Sequence, residues 1–120
     1  MSRKPPAHVY AQTVALMEYI GMDRWEMPEY KATRIQHVNV QPASKTVLTK
    51  DNTNVQLTGL LFADSLYTAP AIDWQAAKDR SEAAGGPLSV IFEGRHYTVI
   101  EVAKLFNEFG AFDHWEVSLQ

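Results

Sequence analysis

The sequence predicts a mainly β fold, a small antiparallel β-barrel with one short inserted helix at about residues 74–84 and with long loops. Two runs rich in β-branched and aromatic residues, 88–92 and 96–102, flank the break Glu93-Gly94-Arg95, a pattern typical of a β-hairpin. The last run, 113–119, alternates apolar and polar residues, which is the period of a strand with one face in water.

Composition bounds the domain organisation and excludes several classes of function. A chain of 120 residues with 46% hydrophobic and 21% charged residues is long enough for one folded domain. It has no cysteine, which excludes disulfides and thiolate metal sites, and its net charge of -3 without a basic run disfavours a dedicated nucleic-acid-binding domain.

We expect residues 1–7, with two prolines and two basic residues, to form a flexible N-terminal arm and residues 8–120 to form the single barrel domain. No apolar run is long enough for a membrane span, so we expect a protein made in the cytoplasm without a membrane partner.

The first elements are a strand and an ordered loop. Residues 8–19 favour a strand through their β-branched and aromatic content, with a helix over 11–20 ending at Gly21 as the alternative. Residues 21–30 hold a proline and large apolar side chains and predict a loop anchored by Trp25. We expect Trp25 to cap one end of the core, and an exposed contact residue is the alternative.

The next strands have unusual faces. Residues 31–41 mix polar and apolar residues on both faces, which favours a small barrel or a strand whose outer face meets another subunit. The polar stretch 42–53 predicts a projecting loop or a hairpin. Residues 54–62 return to strand chemistry, and Gly59 in that run predicts a bulge or a close backbone approach.

The best helix signal follows Asp73. Asp73 is a good N-cap, the next residues are strong helix formers, and Gly85-Gly86-Pro87 stops the run. The alanines give this helix a weak apolar face, so we expect it to lie on the outside, held by Trp74. Its charged residues should then face water: Lys78, Asp79, Arg80 and Glu82.

A link rich in phenylalanine separates the last two strands. Residues 104–113 contain Phe106, Phe109 and Phe112 together with a glycine. We expect these rings to fill the core rather than to form a ligand cage.

The chain contains no recognisable catalytic motif. It has no phosphate-binding glycine loop, nucleophile elbow or zinc-protease pattern. His114 and Glu116 share one strand face and could bind a metal with His96 or His37, but a polar outer face is the preferred interpretation. A hydrolytic set of Asp64, Ser65 and His114 has no support from spacing. We therefore predict no enzyme activity, catalytic residue, cofactor or metal.

Contact residues are expected on the loops, because loops on a rigid scaffold usually carry binding. Lys45, Lys50 and Arg95 lie in predicted turns, where basic side chains could meet phosphates. Arg95, His96 and Tyr97 could form a stacking and phosphate surface, so a small nucleic-acid-binding barrel is the alternative function. The candidate contact residues are Trp25, Tyr30, Lys45, Val47, Leu48, Lys50 and Arg95.

Four segments follow one another in a recognisable order: Val38-x-Val40-x-Pro42, Val55-x-Leu57-x-x-Leu60-Leu61-Phe62-x-Asp64-Ser65, Ile91-x-x-Gly94-x-x-Tyr97-Thr98-Val99 and His114-Trp115-Glu116-Val117. Together they resemble the minor capsid proteins of tailed bacteriophages that belong to the head-closure or stopper type. The resemblance covers most of the chain from His8 to Leu119. It departs from the usual pattern at residues 74–86, where the helix looks like an insertion.

The resemblance implies a small β-barrel that assembles as a ring of copies in the head-tail connector of a virion. Such a ring docks the tail and helps to retain packaged DNA. The implied partners are further copies of the chain, a portal-side adaptor and tail-side connector proteins, with non-specific contact to packaged DNA as a further expectation. No small-molecule substrate is implied.

Overall fold

The computed structural model describes residues 9–120, and these residues form a closed antiparallel ring of six strands with one helix. The elements are β1 (Gln12–Met22), β2 (Pro28–Leu48), β3 (Asn54–Asp64), α1 (Trp74–Ala83), β4 (Ser89–Phe92), β5 (Arg95–Phe106) and β6 (Phe112–Leu119). The order around the ring is β1-β2-β3-β6-β5-β4, and β4 pairs back onto β1. The predicted mainly β class with one short helix is confirmed, and the predicted arm over residues 1–7 lies outside the described residues.

Strand direction divides the ring into two ends. Because every pairing is antiparallel, β1, β3 and β5 run one way and the other three strands run the opposite way. The turns at residues 23–27 and 107–111 therefore lie at one end, here called the upper end. The turns at residues 49–53 and 93–94 lie at the lower end.

Inward-facing side chains fill the ring. The predicted alternation in the last strand is confirmed, since Trp115, Val117 and Leu119 are all buried. Burial of each large aliphatic side chain contributes roughly 1.5–3 kcal/mol. The core also includes Val14, Leu16, Ile35, Val38, Leu61, Leu88, Val90 and Val99.

The strand predicted over residues 8–19 is confirmed as β1, which begins later, at Gln12, and the helix alternative over residues 11–20 is wrong. The hairpin alternative for residues 42–53 is confirmed. The predicted loop over residues 21–30 and the predicted link over residues 104–113 are shorter than expected, because the strands continue into them. The turns that join the paired strands are residues 23–27, 49–53 and 107–111.

Strand β2 runs from the upper end of the ring to the lower end in 21 residues. A straight strand of that length would span ~70 Å, whereas the longest dimension of the molecule is 53 Å. The strand must therefore bend. His37 has a positive φ of 61°, and the pairing with β3 shifts between Pro42 and Lys45, so these two positions account for the bend. Gly59 lies opposite Pro42 at the edge of this register shift, as the predicted bulge suggests. A Cβ at Gly59 would lie 3.4 Å from the carbonyl oxygen of Gln41, an ordinary contact distance, so the predicted close backbone approach is absent there.

Helix α1 packs where the short strand β4 leaves a gap in the ring. β4 pairs with β1 only at Ala15–Met17, so the upper part of β1 has no β4 partner, and α1 packs against β1 and β5 there. The backbone N–H of Tyr19 donates to the fully buried Ser81 Oγ at 2.8 Å. Arg80 donates to the buried Glu18 carboxylate at 3.0 Å. The helix therefore replaces the missing strand with side-chain partners.

The helix start is confirmed and one prediction about its surface is wrong. Asp73 caps the helix by accepting from the Ala76 backbone N–H at 3.0 Å, and Trp74 is 1% exposed. Lys78 was expected in water but is only 8% exposed, because the helix lies in the gap rather than on the outside. Its ammonium group pairs with Glu82.

Replacing Gly86 by alanine should destabilise the fold. The added Cβ would lie 2.5–2.9 Å from three ring atoms of Tyr19, which is nearly buried. Overpacking of this kind costs about 1–3 kcal/mol in the free energy of unfolding, measured by urea denaturation. In a Tyr19→Ala background the same substitution should cost much less, and an equal cost in both backgrounds would show that the ring is not the cause.

Candidate protein-interaction surface

Exposed apolar side chains are concentrated at the upper end of the ring. Among residues 9–120, Leu48 and Leu66 are the exposed large hydrophobic residues outside this end. The upper-end set is Ile20, Met22, Trp25, Met27, Tyr30, Phe106 and Phe109. Soluble domains rarely expose apolar side chains in groups, and such groups mark surfaces that meet other proteins.

A side chain-to-backbone network holds Trp25 outward. We call residues 23–27 the Trp25 turn. Asp23 Oδ1 accepts from the backbone N–H groups of Trp25 at 2.8 Å and Met27 at 3.0 Å, and the Asp23 backbone bonds to Met27 and Glu26. Glu26 adopts a positive φ of 61°. Trp25 is 72% exposed, so the expectation that it caps the core is wrong and the contact alternative fits its position.

Residues 107–111, the Phe109 turn, repeat the same scheme. Asn107 Oδ1 accepts from the backbone N–H groups of Phe109 at 2.9 Å and Ala111 at 3.1 Å. The Asn107 backbone bonds to Ala111 and Gly110, and Gly110 has a φ of 79°. Phe109 is 84% exposed.

The aromatic residues at the base of the Phe109 turn surround a lysine of the same chain. Lys104 Nζ lies 5.1 Å from the Phe112 ring centroid, 5.4 Å from that of Trp115 and 5.8 Å from that of Phe106. Each contact of this type contributes about 0.5–1 kcal/mol at an exposed site. Of the three phenylalanines predicted to fill the core, only Phe112 packs against it, and Phe106 and Phe109 are exposed.

A third turn at the lower end has the same backbone and a different tip. In residues 49–53, the Asp51 turn, Thr49 N donates to Thr53 O and Asn52 N donates to Thr49 O, both at 3.0 Å. Asn52 has a φ of 59°. The third position, occupied by Trp25 and Phe109 in the upper turns, is here an aspartate. The three turns therefore present one backbone shape with apolar tips at one end and a polar tip at the other.

The candidate contact residues from the sequence are divided between the two ends. Trp25 and Tyr30 lie at the upper end, where the Tyr30 ring packs edge-on against Tyr19 at 5.7 Å. The remaining candidates are on strands or turns toward the lower end: Lys45, Val47 and Leu48 in β2, Lys50 in the Asp51 turn, and Arg95 at the start of β5. The structure does not bring these candidates into a single site. Sequence reasoning missed Ile20, Met22, Met27 and Phe109.

The alternative nucleic-acid surface is only partly available. Arg95 and His96 are exposed, but Tyr97 packs against the core as a partly buried residue. A stacking platform of the kind that binds single strands needs an exposed aromatic face.

The proposed metal and hydrolytic sets are not assembled in the described part of the chain. No group of three or more His, Asp or Glu residues within residues 9–120 is placed to hold a metal ion. His114 Nδ1 lies 2.6 Å from Asp113 Oδ2, and His37 Nδ1 lies 3.2 Å from the Tyr10 carbonyl oxygen. Asp64 lies opposite His114, but its carboxylate accepts from the backbone N–H groups of Leu66 and Tyr67 and so shapes a turn.

A groove of about 880 Å³ lies between the Asp51 turn, α1 and β5. Its walls combine apolar surface with a few charged groups. The lining residues are Thr49, Lys50, Asp51, Thr53, Val55, Gln75, Lys78, Glu82, Gly85, Gly86, Pro87 and residues 98–102.

Comparisons with known proteins do not assign this chain to a family. A comparison with family models gives no match, and a comparison with curated proteins gives none either. Within residues 9–120 no helix is long and apolar enough to cross a membrane. The function is therefore inferred from the residues exposed at the two ends of the ring.

The fourth position of the upper turns should control hairpin stability. Gly110→Ala should lower the free energy of unfolding by about 1 kcal/mol, because a side chain in the left-handed region is strained. Glu26→Gly, at the equivalent position, should raise it by up to about 1 kcal/mol. The measurement is urea denaturation. Glu26→Ala is the control, since it keeps a Cβ and should change stability by less than about 0.5 kcal/mol; equal gains from glycine and alanine would contradict this account.

Proposed function

We propose that this chain is a structural connector protein that acts by assembly rather than catalysis. Copies of it form a ring at the head-tail junction of a bacteriophage virion, between a portal-side adaptor and tail-side connector proteins. The ring docks the tail and helps to retain packaged DNA. The observation that supports this function best is the exposure of Trp25 and Phe109 on two matched turns at one end of the barrel.

Rigid presentation makes these aromatic residues suitable as contact anchors. Binding energy in protein interfaces is concentrated in a few residues, with tryptophan among the most frequent. A loop that is already ordered loses less entropy on binding. The bonds from Asp23 and Asn107 order both turns in the free chain.

The difference between the two ends suits a protein with different neighbours above and below it. The upper turns expose an aromatic side chain at their tips, beside charged residues such as Arg24 and Glu26, whereas the Asp51 turn has an aspartate at that position and adjoins polar groups such as Thr46 and Gln56. A part that joins two different structures needs two chemically distinct ends.

The residues behind the resemblance to phage minor capsid proteins mostly build the ring. Leu57, Leu61 and Val117 are buried, and Val38 and Val99 belong to the core. These residues support the barrel in the proposal. The contact function is supported by the upper end and by the exposed turns.

Light scattering on the purified protein, alone and mixed with candidate portal-side and tail-side proteins, tests the function. We expect wild-type protein to join a ring-sized complex with at least one of them. Phe109→Ser should weaken this association at least about tenfold, as loss of a central aromatic anchor does, while leaving the folded chain intact.

Glu93→Ser, in the turn at the lower end, is the control and should leave the association with the upper-end partner unchanged. A wild-type chain that ignores both partners and binds single-stranded nucleic acid in a salt-sensitive manner would favour the alternative binding-module function.

A further inference from the structure

The chain carries a projecting apolar tip and a concave groove on different surfaces. The tip is the end of the β1–β2 hairpin: Ile20, Met22, Trp25, Met27 and Tyr30. None of these residues lines the groove between the Asp51 turn, α1 and β5. Met22, Trp25 and Met27 are 60–72% exposed, so these side chains are available to a second chain.

The tip is large enough to form much of an interface. A large aromatic side chain buries ~150–250 Å², so five side chains exposed by about half to three quarters offer on the order of 500 Å² together. A standard protein–protein interface buries ~800 Å² on each partner. The tip alone would therefore supply more than half of one side.

The groove has the size and chemistry to receive it. Its volume of about 880 Å³ is in the upper part of the ~300–1,000 Å³ range of cavities that enclose whole ligands. Val55, Pro87 and Val102 give it apolar walls. Its charged groups are Lys50, Asp51 and Glu101 together with Lys78, which pairs with Glu82, so the carboxylates outnumber the lysines by one. Arg24 lies 5.1 Å from the Trp25 ring centroid and would bring a positive charge to the Asp51 and Glu101 carboxylates.

We propose that the β1–β2 tip of one copy docks into this groove of a second copy. The contact joins two different surfaces of identical chains, so it is head-to-tail. Repetition of such a contact gives a ring when the rotation between copies closes and an open filament when it does not, and the proposed function requires the closed form. This inference rests on the proposed function, because it specifies how the copies of that ring meet. The Phe109 turn remains available for a neighbouring protein.

Disulfide trapping tests this contact cleanly, because the chain has no cysteine. Met27→Cys places a thiol on the tip and Thr53→Cys places one on the groove wall. Each substitution is made in a separate chain, so a disulfide between the two variants joins different copies. Mild oxidation followed by intact mass measurement separates the mixed dimer from dimers of either variant alone.

We expect the mixed tip–groove dimer to exceed the dimer formed with Glu93→Cys, a control thiol outside the groove, at least about fivefold, because bridging requires Cα atoms within ~7 Å. Adding Trp25→Ala to the Met27→Cys chain should abolish the excess. Adding Phe109→Ala, which removes the matched aromatic of the other turn, should leave it. Equal trapping with the control thiol, or an excess that survives Trp25→Ala, overturns the proposal.

Binding to the portal-side and tail-side proteins under reducing conditions separates this inference from the proposed function. Ring assembly on a partner without selective trapping would reject the tip–groove contact and keep the connector function. Selective trapping without binding to either partner would keep the contact between copies and reject the connector function.

Discussion

Closure of the ring at α1 is the constraint on which the rest of the structure depends. β4 has four residues and cannot cover the upper parts of β1 and β5, which would expose backbone groups and core side chains. The helix packs against both strands and is bonded to β1 through the Tyr19–Ser81 hydrogen bond and the Arg80–Glu18 pair, while Trp74 at its start is buried. The helix is thus part of the wall of the ring rather than an addition outside it.

With the wall complete, the hairpins can extend beyond the ring without support from its core. A two-stranded ribbon is only marginally stable in water, so each hairpin needs local help. That help comes from the shared turn scheme, in which the first residue bonds across the turn and the fourth adopts a positive φ. Lys104 adds further contacts beneath the Phe109 turn. The exposed tips are therefore ordered for a physical reason.

The predictions that are confirmed rest on patterns among residues that are close together in the sequence. Alternation in residues 113–119 indicated a strand with Trp115 inside, and Asp73 indicated the helix start. The length of β2 was missed because Pro42 and the polar residues after it look like a loop, while their pairing partners in β3 follow only after the turn. The burial of Lys78 depends on the gap beside β4, which no local pattern reveals. The outward position of Trp25 was readable in principle, since Asp23 stands two residues before Trp25 just as Asn107 stands two before Phe109.

The long strand β2 also has a mechanical consequence. It joins the Trp25 turn to the Asp51 turn without a break in the chain, so a pull between neighbours bound at the two ends would run along this strand. Hydrogen bonds in an antiparallel sheet lie perpendicular to the strands. Such a load would shear many of them together rather than open them one at a time. β2 would then bear the pulling force along its length, and it would straighten first at the bend near His37 and Pro42.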